Sequence, residues 1–265
     1  MGKIRLDVYL YNHKMVESRS LAQRLVMAGE VMVNGERVIK PSQNIDENST
    51  VEIISGPKFV SRGGEKLEAG LNSFGINNLS EKICVDVGAS TGGFTDCLLQ
   101  NGAKKVYSID VGFGILHWKL RNDPRVIVME RTNARNVTDF PDTIDLVTID
   151  ASFISLKVLL PVVKTWLKNN SEVIMLIKPQ FEAGRKDAAK GAGVIRDTEI
   201  HRKILIDTID FAIQCGFWFN GLILSPLKGP KGNIEFLAYL SSGQESGRVP
   251  IELSEIIESI LPDIS

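Results

Sequence analysis

The chain has 265 residues, 43% of them hydrophobic and 24% charged, with a net charge of −1. That length allows one large domain with a small one, and the composition excludes long-range disorder. Near-zero net charge excludes a whole-molecule field toward nucleic acid, although residues 1–29 hold five Lys/Arg against two Asp/Glu. No apolar run approaches the ~18 residues a membrane helix needs. Lys3, Arg5 and Asp7 interrupt the start, so no secretory leader is expected. Cys84, Cys97 and Cys215 are widely spaced and odd in number, which predicts reduced thiols in a cytosolic protein. His13, His117 and His201 are scattered as well, so no metal site is expected.

In chain order, "LDVYLYNHKM" has helical spacing at Leu6, Tyr9 and Leu10. "SRSLAQRLVMAGE" follows with a serine cap, an apolar stripe at Leu21, Leu25 and Val26, and Gly29 placed to end the helix. Asn34-Gly35 in "VMVNGERV" is a strong hairpin signal, and "TVEII" predicts one more strand. On the second helix Arg19, Gln23 and Arg24 recur at helical spacing. That face is either solvated or built to meet phosphates. "SRSLAQRLVMAGEVMVNGERV" resembles the S4-type RNA-binding module, in which two helices and a hairpin dock on structured RNA. The resemblance covers most of residues 4–54.

The rest of the chain alternates apolar strands with helical patterns. "KICVDVG", "KVYSIDVG", "RVIVMER", "DLVTIDAS" and "EVIMLIKPQ" read as strands covered on both faces, which predicts a doubly wound parallel sheet. "GFWFNGLILSP" and "NIEFLAYLS" are joined only by "LKGPKG". A parallel pair needs a longer crossover, so this pair is predicted antiparallel. The plan resembles that of the S-adenosylmethionine-dependent methyltransferases: α/β, Rossmann-like, seven strands, the last antiparallel, behind a small α+β module.

"DVGASTGGFTD" joins the first of these strands to a helix. Its spacing fails the G-x-G-x-x-G dinucleotide fingerprint. Glycines at such a turn still allow close approach of a ligand to the backbone. Asp86 would repel a pyrophosphate but suits a cationic aminoacyl end and a sulfonium. Asp110, ending the next strand, can accept ribose hydroxyls, and Asn133 in "RTNAR" is placed to read an adenine. The expected cofactor is therefore S-adenosyl-L-methionine, with Asp86, Gly88, Ser90, Gly92, Gly93, Phe94, Asp110 and Asn133 as its candidate residues.

Ligands of open α/β sheets bind outside the carboxyl ends of the strands. Asp150 and Lys178 end the fourth and fifth strands there. Glu235 starts the antiparallel last strand at the same edge, and Lys66 of "SRGGEKL" can join them from the junction. Each alone could be a helix cap, a surface charge or a linker charge. Together they suit methyl transfer to a ribose 2′-hydroxyl, a poor nucleophile whose proton must be taken while oxygen, carbon and sulfur are aligned. A lysine serves as base if partly neutral, and burial and a second lysine favour that form.

Lys66, Asp150, Lys178 and Glu235 resemble the K-D-K-E tetrad of the FtsJ-like RNA 2′-O-methyltransferases. With the S4-type module and "VSRGGEKL", the whole chain resembles the TlyA-type rRNA methyltransferases, often called haemolysin A. The resemblance implies 2′-O-methylation of cytidine in ribosomal RNA, with assembled subunits as substrate. It divides the chain into an S4-like module (1–58), a methyltransferase domain (59–245) and a C-terminal helical tail (246–265). Where some members carry basic-x-Trp-Val between the domains, this chain has Pro57-Lys58-Phe59-Val60. Gly63 and Gly64 are expected to form a tight turn that delivers Lys66. The expected RNA contacts are Arg5, Arg19, Arg24, Arg62, Arg185 and Lys190, with the loops "EAGRKDAAKGAGVIR" and "LKGPKG" touching RNA. Two other readings compete: a non-catalytic RNA-binding protein, and a membrane-active haemolysin, which would need an amphipathic or spanning segment.

Overall fold

The structure, a computed structural model, describes residues 2–54, 58–183, 193–243 and 252–261. It falls into two compact units, residues 1–58 and 59–265.

The first unit opens with strand β1 (Lys3–Arg5) and helices α1 (Leu6–Asn12) and α2 (Arg19–Met27). Ser18 caps α2 by accepting from the Leu21 backbone N–H, which satisfies one of the free donors of the first turn. Strands β2 (Val31–Val33) and β3 (Glu36–Val38) form the expected hairpin, with Asn34 and Gly35 both at positive φ, +52° and +82°. That is the type I′ geometry Asn-Gly favours. Strand β5 (Val51–Ile53) pairs with β2. A second, two-stranded sheet pairs β1 with β4 (Asn44–Asp46); three-residue strands carry too little periodicity to be read from sequence. Leu6, Leu10, Ala22, Val26 and Val31 close the small core.

The second unit begins with helix α3 (Gly63–Ser73). The expected tight turn at Gly63-Gly64 is therefore corrected: both glycines are helical. Gly64 serves packing, since a Cβ there would lie 2.2 Å from Cγ of buried Phe59.

The main sheet contains β6 (Ile83–Val87), β7 (Lys105–Ile109), β8 (Val126–Met129), β9 (Ile144–Ile149), β10 (Leu167–Ile177), β11 (Trp218–Leu224) and β12 (Phe236–Ser241). Their spatial order is β11-β12-β10-β9-β6-β7-β8. β6 to β10 pair in parallel, and β12 runs antiparallel between β10 and β11. Connecting helices are α4 (Gly93–Gln100), α5 (Trp118–Arg121), α6 (Leu156–Trp166), α7 (Pro179–Glu182) and α8 (Thr198–Gln214). Alternate residues of one strand feed opposite cores: Val173, Met175 and Ile177 join one face, Ile174 and Leu176 the other. Burial on both faces explains the continuous apolar runs. Helix α9 (Leu253–Ile260), within the expected tail, sends Ile257 into the first of these cores.

The chain passes from β6 to β7 and β8 on one side, then returns to β9 on the other side of β6. That reversal opens a crevice at the carboxyl ends of β6 and β9, where open α/β sheets bind their ligands.

Candidate active site

Two cavities meet at this crevice. One, of about 570 Å³, is lined by Gly88, Ser90, Asp110, Val111, Asn133 and Phe153, among others. The second, of about 420 Å³, is lined by Arg62, Lys66, Phe94, Asp150, Lys178 and Glu235, among others. They share Gly88, Ser90, Asp150 and Ser152, so the two cavities adjoin.

The first cavity is shaped by backbone. Gly88 has φ of +84°, and a Cβ there would lie 2.7 Å from the Asp150 carbonyl oxygen. Only glycine lets β6 turn this close to the end of β9. Asp110 Oδ2 accepts from Ser90 N at 2.7 Å, and Oδ1 accepts from Gly112 N at 2.7 Å. The carboxylate is thus fixed, and each oxygen retains a lone pair for a further donor. Asn133 lines the same wall and caps the following turn by accepting from Arg135 N at 3.1 Å. Val111 and Phe153 add exposed apolar surface. A fixed diol acceptor, close-approach glycine and apolar walls fit an adenosyl group.

Four of the expected cofactor residues lie outside the lining of the Asp110 cavity. Asp86 is fully buried and lines neither cavity; its carboxylate accepts from Thr95 Oγ1 at 2.7 Å and Thr148 Oγ1 at 3.2 Å. Burial pushes this carboxyl up to about 7, against the pull of the threonine hydrogen bonds. It braces the loop from beneath. Gly92 has φ of +97°, and a Cβ there would lie 2.2 Å from Leu120 Cδ1, so its smallness serves packing. Gly93 lines the second cavity, and a Cβ there would lie 2.3 Å from Ser61 Oγ. It lets the start of α4 approach the start of α3. Phe94, 2% exposed, lines the second cavity too.

The second cavity gathers all four expected charged residues. They form two ion pairs. Lys66 Nζ lies 2.5 Å from Glu235 Oε2, both side chains largely buried. Lys178 Nζ lies 2.6 Å from Asp150 Oδ1 and donates to Ser152 Oγ at 2.9 Å. Buried charges of this kind survive only when paired. Lys66 comes from α3, Asp150 from the end of β9, Lys178 from the end of β10, and Glu235 from the residue before β12. Ser152 was not found from sequence, although its position two residues beyond Asp150 was the available signal. Leu227, Lys228 and Gly229 of "LKGPKG" line this cavity, as does exposed Arg62.

The remaining expected RNA contacts are mixed. In the first unit, Arg5 and Arg19 both pair with buried Asp7, at 3.0 and 3.1 Å, and Gln23 Nε2 donates to the same carboxylate at 2.8 Å. These contacts, Arg5 foremost, hold the Asp7 carboxyl well below its usual range despite its burial. On the face that is either solvated or built to meet phosphates, the charge of Arg19 is thus partly neutralised by Asp7. Arg24 is exposed. Arg185 and Lys190 lie outside the described residues, with most of the "EAGRKDAAKGAGVIR" loop. Among the described residues no cluster of acidic, His or Cys side chains could hold a metal, and no helix is long and apolar enough to cross a membrane.

The FtsJ-like methyltransferase family model matches residues 59–242, and the S4 domain model matches residues 4–51. Hemolysin A of Brachyspira hyodysenteriae is 48% identical over 239 residues, covering 89% of this chain and 99% of that protein. The 16S/23S rRNA (cytidine-2′-O)-methyltransferase TlyA of Mycobacterium tuberculosis is 38% identical over 244 residues, covering 90% of each chain. A solved structure from Streptococcus thermophilus, provisionally named a hemolysin, superposes with a TM-score of 0.71. It is 44% identical and covers 98% of this chain and 96% of its own.

Proposed function

The chain belongs to the FtsJ-like methyltransferase family, in the TlyA group with an S4 domain ahead of the methyltransferase unit, and from that premise we propose that it methylates the 2′-hydroxyl of a cytidine in ribosomal RNA. The substrate is an assembled ribosomal subunit, and the activity is cytoplasmic. One observation carries the reading: two buried lysine–carboxylate pairs open onto the cavity adjoining the Asp110 cavity.

Asp110, Asn133, Gly88 and Ser90 would hold S-adenosyl-L-methionine. When bound, it supplies an electrophilic methyl group. A ribose hydroxyl entering the second cavity meets Lys178 Nζ, held by Asp150 and Ser152. The ion-paired ammonium first yields one proton to solvent, and the free amine then accepts the hydroxyl proton. Asp150 then shares the charge gained by Lys178. Glu235 holds Lys66 across the same cavity, where its ammonium orients the hydroxyl oxygen and favours developing negative charge there. Base work of this kind contributes roughly 10²–10⁴-fold, and alignment adds to it.

Ribose methylation is to be mapped on both rRNAs after incubation of unmethylated subunits with the protein, Lys178→Ala and Lys178→Arg. The protein should add one or more 2′-O-methyl cytidines. Lys178→Ala should lower the single-turnover rate by on the order of 10²-fold or more with cofactor and subunit binding retained. Arginine keeps its proton at physiological pH, so the Arg variant should match Ala. An active Arg variant would remove the base role, and no new ribose methylation by the unsubstituted protein would remove the whole reading.

A further inference from the structure

The loop after β7 and the start of α5 hold four large apolar side chains in solvent: Val111 is 72% exposed, Phe113 65%, Ile115 46% and Trp118 70%. This loop is pinned. Gly112 N donates to Asp110 Oδ1, Arg131 N donates to Gly112 O at 2.9 Å, and Gly114 N donates to Glu130 Oε1 at 2.9 Å. His117 N donates to Thr91 O at 3.1 Å, while Leu116 and Leu120 are buried. The anchors turn inward and the other apolar groups are held outward. Val111 lines the Asp110 cavity, so a ligand there accounts for it. Phe113, Ile115 and Trp118 line neither cavity of the active site. Four exposed large apolar side chains within eight residues of one pinned loop point to a partner.

The surrounding charge identifies the partner's chemistry. Residues 111–135 hold five Lys/Arg against two Asp/Glu. Lys119, Arg121 and Arg125 pair with Asp96, Glu130 and Asp123. The Arg131 guanidinium instead lies over the Phe113 ring, 4.1 Å from its centroid, with the residue at φ of +51°. That backbone conformation is uncommon outside glycine, and here it accompanies a cation stacked on an exposed ring. Rings interleaved with cations suit an unpaired nucleic-acid strand, whose bases stack while its phosphates meet the charges.

We propose that Phe113 and Trp118, with Arg131, form a stacking surface for unpaired nucleotides of the RNA substrate beside the Asp110 cavity. The proposal rests on the RNA reading above and adds a docking face carried by the methyltransferase unit itself. It is tested on the full chain with Phe113→Ala, Trp118→Ala and Trp118→Phe. Binding to unmethylated ribosomal subunits is measured by filter retention, S-adenosyl-L-methionine binding by calorimetry, and oligomeric state by sedimentation. Each Ala variant should raise the subunit dissociation constant tenfold or more, and Trp118→Phe should stay within threefold. Cofactor affinity should hold within twofold, and all forms should sediment alike. Ala variants that bind subunits within twofold of the unsubstituted protein overturn the proposal. So does an unsubstituted dimer that these variants dissociate, since the rings would then serve a second copy. Ring-dependent binding without any methyl transfer would sink the catalytic reading and leave the surface standing.

Discussion

Asp86, in β6 beneath the glycine-rich loop, carries a carboxyl with no access to water. Its ionisation is raised to about 7, chiefly by burial. Between about pH 4 and pH 7 the folded chain therefore keeps a proton that the unfolded chain has released. Stability from this group is fully present below its unfolded pKa and is lost as pH rises through that window. His201 acts in the opposite sense: it is buried, burial lowers its pKa, and neither ring nitrogen has a hydrogen-bond partner among the described residues. Its contribution is present at neutral pH and lost on acidification. Asp86→Asn keeps an acceptor for one threonine and removes one titration. Relative to the unsubstituted protein, the Asn form should gain roughly 1–3 kcal/mol between pH 5 and pH 7, at about 1.4 kcal/mol per pH unit. Urea midpoints at the two pH values read the difference directly, and His201 cancels from it. Parallel pH curves for the two proteins would mean that the carboxylate is ionised throughout.

Helix α3 delivers Lys66, and its position depends on two close approaches. Gly64 lies against Phe59, and Gly93 of α4 lies against Ser61 and Gly64. Alanine favours a helix over glycine by about 1 kcal/mol. At position 64 that gain meets a Cβ only 2.2 Å from Phe59 Cγ, and overpacking of a core costs typically about 1–3 kcal/mol. The clash wins, because Phe59 is 2% exposed and has nowhere to move. Gly64→Ala should therefore lower the thermal midpoint. It should also lower methyl transfer beyond the loss of folded protein, since Lys66 is two residues away. Gly70 of the same helix is the internal control: its nearest neighbour would be 3.5 Å from a Cβ, an ordinary contact. Gly70→Ala should be neutral or stabilising. Equal melting temperatures for the two variants would show that Phe59 yields without cost.

At the scale of the whole molecule, the net charge of −1 conceals a basic start. Binding to RNA by that start should weaken with salt in proportion to the phosphates met. Arg19 shares Asp7 with Arg5 and Gln23, so its charge is only partly available, while Arg24 is exposed. Replacing Arg19 and Arg24 with Ala should weaken RNA binding and flatten the log–log salt slope by roughly 1–2, the value for up to two phosphate contacts. S-adenosyl-L-methionine affinity should be unchanged, because its candidate residues all lie in the second unit. Titrations from low to moderate salt decide this. A slope equal to that of the unsubstituted protein would make this face a solvated one.

Period and punctuation determined much of this protein. Continuous apolar runs predicted the seven main strands, and the short "LKGPKG" link predicted that the last two run antiparallel. Both rest on local physics: strands covered on two faces are continuously apolar, and a few residues cannot make a parallel crossover. The placing of Asp150, Lys178 and Glu235 at one sheet edge followed from strand direction, whereas Lys66 was expected from the junction. Tertiary structure decided what local pattern does not encode. Gly63-Gly64 opens a helix because Phe59 packs against it, whereas two glycines in isolation suggest a turn. Asp86 sits beneath the cofactor loop because threonines of α4 and β9 close over it. The tetrad sorts into Lys66–Glu235 and Lys178–Asp150, and the Arg131–Phe113 stack forms, because partners far apart in the chain are brought within a few ångströms. Pairing of that kind depends on the packed sheet, and no spacing along the chain expresses it.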